Sequence, residues 1–129
     1  MPLKKGAVFW ADSDKLYVTN YPKYLKEGFF LQHEKIKIVK DTGITIEVTG
    51  KAKVYVASST WYGDGGYDES LPRNGWETEI GEINLDIDMF TLNLIFSKSL
   101  NDKETQIVLP KTTTQRTLML VIVVSICPG

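Results

Sequence analysis

Ile44-Thr45-Ile46-Glu47-Val48-Thr49-Gly50-Lys51-Ala52-Lys53-Val54-Tyr55-Val56-Ala57 is the stretch that decides the fold class. On an extended chain successive side chains point to opposite faces, so Ile44, Ile46 and Val48 share one face and Thr45, Glu47 and Thr49 the other. Gly50 supplies a turn, after which Ala52, Val54 and Val56 take up the inward phase again. A helix would need apolar residues three and four apart, and no such period persists anywhere in the chain.

The same alternation extends upstream. Residues 7–10 and 16–18 predict two short strands around the polar turn Asp12-Ser13-Asp14. Residues 28–32 and 34–39 follow, the latter with Ile36 and Ile38 on one face and Lys35 and Lys37 on the other. Asp41-Thr42-Gly43 and Thr49-Gly50 carry the residues expected in turns between antiparallel neighbours, so the first half predicts a meander. Downstream, Ile83, Leu85, Ile87 and Met89 keep one face, and Phe90, Leu92, Leu94 and Phe96 keep the other. The slip between Met89 and Phe90 requires a bulge, a corner or a strand that changes sheets. Sandwiches and jelly rolls use that device.

Two more strands, 105–109 and 117–125, end the pattern. The apolar run 118–126 is far shorter than the ~20 residues of a membrane-spanning helix. Polar Thr112-Thr113-Thr114-Gln115 before it gives the outline of a cleaved anchor signal. Its Val121-Ile122-Val123-Val124 centre is the chemistry of a buried central strand instead. The expected fold is all-β: one antiparallel β-sandwich, jelly-roll-like, with about 8–10 strands and a single domain over 1–129. Its expected core includes Val8, Leu16, Ile36, Ile38, Ile46, Val54, Val56, Leu92, Leu94, Leu120 and Ile122.

Composition narrows the function. The chain has 129 residues, 43% of them hydrophobic and 24% charged, which suits one domain with a core. Fifteen basic residues against 16 acidic ones give a net charge of -1, so nucleic acid is not expected as a partner. Cys127 is the only cysteine and His33 the only histidine, which excludes an intramolecular disulfide and the usual cysteine or multi-histidine metal sites. Met1-Pro2-Leu3-Lys4-Lys5-Gly6 does not lead into a secretory apolar region, so an extracellular location would require a leader removed beforehand. Membrane insertion is not expected.

No nucleophile elbow, phosphate loop or dinucleotide fingerprint occurs, and Cys127 and His33 read as an apolar filler and a turn residue. Carboxylates Asp64, Asp68, Glu69, Glu77 and Glu79 gather near one loop, as a glycosidase pair would require, but linear order does not oppose two of them across a cleft. The expectation is a protein that is not an enzyme. The unusual segment is 58–76, read as a long loop without alternation. Trp61, Tyr62, Tyr67 and Trp76 offer faces that could stack on a pyranose, and Asp64, Asp68 and Asn74 are the nearest polar partners for its hydroxyls. The competing reading makes Trp61 and Trp76 caps on the sandwich, and both readings stand.

No cofactor is expected. Calcium is the one ion the acids could take, at Asp12-Ser13-Asp14, at Asp86-Ile87-Asp88 or, best, at Asp64, Asp68 and Glu69. Lys35, Lys37, Lys40, Lys51 and Lys53 read as solvated, edge-protecting lysines, with an anionic ligand as the alternative.

Three segments carry a family resemblance: Val8-Phe9-Trp10-Ala11-Asp12, then Pro22-Lys23-Tyr24-Leu25-Lys26-Glu27-Gly28 with Phe29-Phe30-Leu31-Gln32, then Lys53-Val54-Tyr55-Val56-Ala57 with Leu71-Pro72-Arg73-Asn74-Gly75-Trp76. In outline, residues 8–96 resemble an accessory module of secreted bacterial carbohydrate-active and adhesion proteins. Ser58-Ser59 and His33-Glu34-Lys35 depart from that module's polar steps. The resemblance implies a jelly-roll sandwich used as a non-catalytic accessory. The expected function is therefore a binding module, carbohydrate-binding through 58–76. The alternative is a protein-interaction or oligomerising domain whose partner is another protein or a second copy.

Overall fold

The computed structural model describes residues 2–10, 13–26, 28–31, 43–48, 51–60, 66–87, 90–100, 106–113 and 118–125. They form ten strands and one short helix. In chain order these are β1 (Val8–Trp10), β2 (Ser13–Asn20), β3 (Phe29–Leu31), β4 (Ile44–Glu47), β5 (Ala52–Ser58), α1 (Tyr67–Arg73), β6 (Glu77–Glu79), β7 (Asn84–Leu85), β8 (Leu94–Leu100), β9 (Gln106–Leu109) and β10 (Met119–Ser125). A 3-10 turn, Lys23–Leu25, precedes β3. A five-stranded sheet in the order β3-β10-β5-β8-β6 lies between a three-stranded sheet, β1-β2-β7, and the pair β4-β9. All strand pairings are antiparallel. The chain is an antiparallel β-sandwich, as the alternation predicts.

The composition of β5 and β10 explains why they occupy the middle. Antiparallel sheets usually leave one face wet, and their strands then alternate apolar with polar. In β10 every residue from Met119 to Ile122 is buried, and in β5 every residue from Val54 to Ser58. Side chains of opposite phase therefore enter two different cores. Tyr55, Ala57, Ile95, Leu120 and Ile122 pack against Leu16, Val18 and Leu85 of the three-stranded sheet. Val54, Val56, Phe96, Met119 and Val121 pack against Ile46, Ile107 and Leu109 of β4-β9, and against Tyr67, Leu71 and Trp76. Each fully buried aliphatic side chain contributes roughly 1.5–3 kcal/mol, so neither layer can be lost without exposing the middle sheet.

Several expectations need correction. The predicted meander holds for its first pair, since β1 pairs with β2, and fails for the next testable one: β4 and β5 are neighbours in sequence, yet β4 pairs with β9, and β5 with β10 and β8. A strand apolar on both faces needs two strand neighbours and two covering layers, whereas β4, with one buried phase, suits a cover. Ser13 and Asp14, expected in a turn, belong to β2. The chain does change sheets after β7, but through a turn in which the Phe90 N–H donates to the Ile87 carbonyl and Ile83 bridges to Leu92. Leu92 stays in the first core and Phe96 enters the second, so the phase also shifts after Leu92. Val8 and Leu94, expected in the core, are half-buried. Ile36, Ile38, His33 and Cys127 lie outside the described residues.

Met119→Ala and Ile122→Ala empty different cores from one strand. Each should cost about 2–5 kcal/mol, read by urea denaturation. An unchanged midpoint for either would mean that its face of β10 is not packed.

Candidate functional site

The segment read as a loop contains α1, and local chemistry explains its bounds. Gly66 starts it with φ +79°, where a Cβ would run into the Thr113 side chain. Asp68 and Glu69 fall in the first turn and Arg73 in the last, each on the favourable side of the helix dipole. The helix stops at Asn74-Gly75: Gly75 takes φ +85° and its N–H donates to the Pro72 carbonyl, while the Trp76 N–H donates to that of Leu71. This is a Schellman stop, and its usual apolar contact is made by Leu71 and Trp76, which share the second core. Two helical turns with one buried pair, Tyr67 and Leu71, are too short to display a helical period.

That stop delivers Asn74 and Trp76 to the edge of a cleft of about 450 Å3, which Lys98 and Leu100 of β8, Gln106, Ile107 and Val108 of β9, and Pro110 just after β9 complete. The volume lies within the ~300–1,000 Å3 span of small-molecule sites. The Tyr67 hydroxyl donates to the Pro110 carbonyl at 3.0 Å and so ties α1 to the chain leaving β9. Asn74 Nδ2 donates to the Ser70 carbonyl at 2.6 Å, leaving its side-chain oxygen as an acceptor. Gln106 is exposed and Lys98 half-buried.

Of the expected site residues, Asn74 and Trp76 border this cleft. Trp76 is only 5% exposed, so it presents little ring surface and is chiefly a core cap. Tyr67 is 0% exposed, which corrects its assignment as a stacking face. Asp68 is exposed on α1. Trp61, Tyr62 and Asp64 lie outside the described residues. Lys98 and Gln106 had not been singled out, because they come from strands remote from 58–76. Lys98 did leave a signal, as a lysine in the apolar phase of Leu94, Phe96 and Leu100.

The acids have local duties. Glu79 accepts from Ser97 Oγ at 2.6 Å and pairs with Lys53 at 3.4 Å. Lys53 Nζ also lies 5.4 Å from the centre of the Tyr55 ring, which stacks on Tyr24. Burial alone would lower the Lys53 pKa, but Tyr55 and Glu79 outweigh it and hold it raised. Burial, helped by the charge on Glu79, pushes the Tyr24 phenol up to about 12. Asp86 accepts the Tyr17 N–H at 2.9 Å. No group of three or more metal-ligating side chains occurs among the described residues; Asp12, Asp64 and Asp88 lie outside them. Of the lysines read as a basic face, Lys51 is exposed, and Lys35, Lys37 and Lys40 lie outside the described residues.

Comparison with known protein families, curated proteins and solved structures returns no match.

Two stability predictions follow from Tyr67 and Trp76. Trp76→Ala should cost about 3–5 kcal/mol in a thermal or urea melt; a melt like that of the parent would make Trp76 a surface ring. Burial raises the Tyr67 pKa from 10.0 to about 12, so its contribution is complete below pH 10 and is lost as pH rises toward 12. Tyr67→Phe should flatten the alkaline fall in stability over that interval, and an unchanged slope would contradict the buried phenol.

Proposed function

We propose that the protein is a non-catalytic binding domain that takes a saccharide in the cleft between α1, β8 and β9. The observation that carries this reading is the cleft itself, where the neutral amides of Asn74 and Gln106 and the Lys98 ammonium stand beside the apolar Val108 and Pro110, with Trp76 and Leu100 buried beneath. Amides donate to and accept from hydroxyls, and apolar walls suit the C–H faces of a sugar ring. The helix stop and the Tyr67 bond hold the α1 side of the cleft. Preorganised groups lose little entropy on binding. Glu79, one of the carboxylates gathered near 58–76, is bonded to Ser97 and Lys53.

A second reading, an interaction or oligomerising domain, draws on β3. This edge strand exposes Phe29 and Leu31, at 59% and 46%. A glycan array combined with light scattering separates the two: array hits from a monomer support the cleft, and a stable multimer without hits supports β3. Gln106→Ala should weaken glycan binding by about 1 kcal/mol and leave the melting temperature in place. Unchanged affinity would remove the cleft from the binding surface.

A further inference from the structure

Lys98 is out of place by the rules that shape the rest of β8. Phe96 and Leu100, two residues to either side, belong to the second core. Lys98 shares their phase and sits opposite Val54 of β5. On the other side of β8, strand β6 pairs only with Ile95 to Ser97, so Lys98 lies just past the end of that partner. The aliphatic stem of a lysine can cover apolar surface while the ammonium turns to water. Here the side chain is half-buried and borders the cleft. Lys98 makes no ion pair among the described residues, and it is the only charged side chain among the described residues that line the cleft.

We infer that the cleft takes an acidic saccharide, a uronate, whose carboxylate pairs with the Lys98 ammonium while its hydroxyls meet Asn74 and Gln106. The inference rests on the saccharide reading of the cleft and adds the ligand's charge to it. A lone ammonium with neutral amide neighbours favours an anionic group over a further hydroxyl. One ammonium, with no arginine among the described lining residues, matches a singly charged carboxylate better than a phosphate, which recruits more than one cation or a guanidinium fork.

The test is calorimetric titration of the full chain with hexamers of galacturonate, guluronate and hyaluronan, each beside its neutral methyl ester. Lys98→Met keeps the stem without the charge, and Lys98→Arg keeps the charge. The expected result is binding of at least one acidic hexamer, about ten-fold or more weaker as the ester. Lys98→Met should lose affinity to the same extent, Lys98→Arg should keep most of it, and added salt should weaken the parent. Should Lys98→Met fail to fold, the acid–ester comparison on the parent and Lys98→Arg still decides. Equal binding of acid and ester overturns the inference and leaves the saccharide reading standing. No binding of any hexamer, acidic or neutral, overturns both, as does capture of hexaglutamate alone. An inward lysine at a free strand edge can also serve only to deter strand pairing. In that case Lys98→Met would aggregate while acid and ester bound alike, and the inference would fall.

Discussion

The structure depends on one constraint: β5 and β10 are apolar on both faces and must be covered twice. Within the middle sheet their backbone groups are satisfied by pairing with each other and with β3 and β8. Their side chains then require an apolar layer on each side, which the β1-β2-β7 sheet provides on one and β4-β9 with α1 on the other. The covering strands can afterwards be short and half-polar, because they need only one apolar phase. This is why β4 reads as a cover and β5 as a centre although only a few residues separate them.

The cleft arises from the same constraint. The second face of the middle sheet is covered by two unlike pieces, a strand pair and a helix, and the cleft is walled by both and by β8. α1 is held at its junction by the Tyr67–Pro110 hydrogen bond and by the helix stop that sends Trp76 inward. A groove between two unlike layers, on a sheet that cannot deform without exposing two cores, is a favourable place for a ligand. On the opposite face the polar cluster around Glu79 consists of groups already bonded to one another.

The strands were legible because period-two alternation is local. β5, β9 and β10 fall within a residue or two of where the alternation of 51–57, 105–109 and 117–125 puts them, whereas β8 lies about four residues beyond the alternation of 90–96. Pairing partners were not legible, because alternation assigns a face and says nothing of which strand lies beside it. Residues 44–48 fit a meander as well as they fit a pair with β9. α1 was hidden by its brevity, although Asn74-Gly75 after Leu71-Pro72-Arg73 is a readable helix stop. The site was half visible. Asn74 and Trp76 were singled out because they share a segment with other aromatics, whereas Gln106 carries no local mark. Lys98 breaks an apolar phase, a signal that points to a task other than packing.

Native-state hydrogen exchange addresses the doubly covered sheet most directly. Amides of Val54 to Ala57 and of Leu120 to Ile122 should exchange only through global unfolding, more slowly than those of β4 and β9. In Met119→Ala and in Ile122→Ala alike, protection should fall across both strands by that variant's loss of global stability. Fast exchange in either strand, or protection lost through one face alone, would contradict a middle sheet shared by two cores.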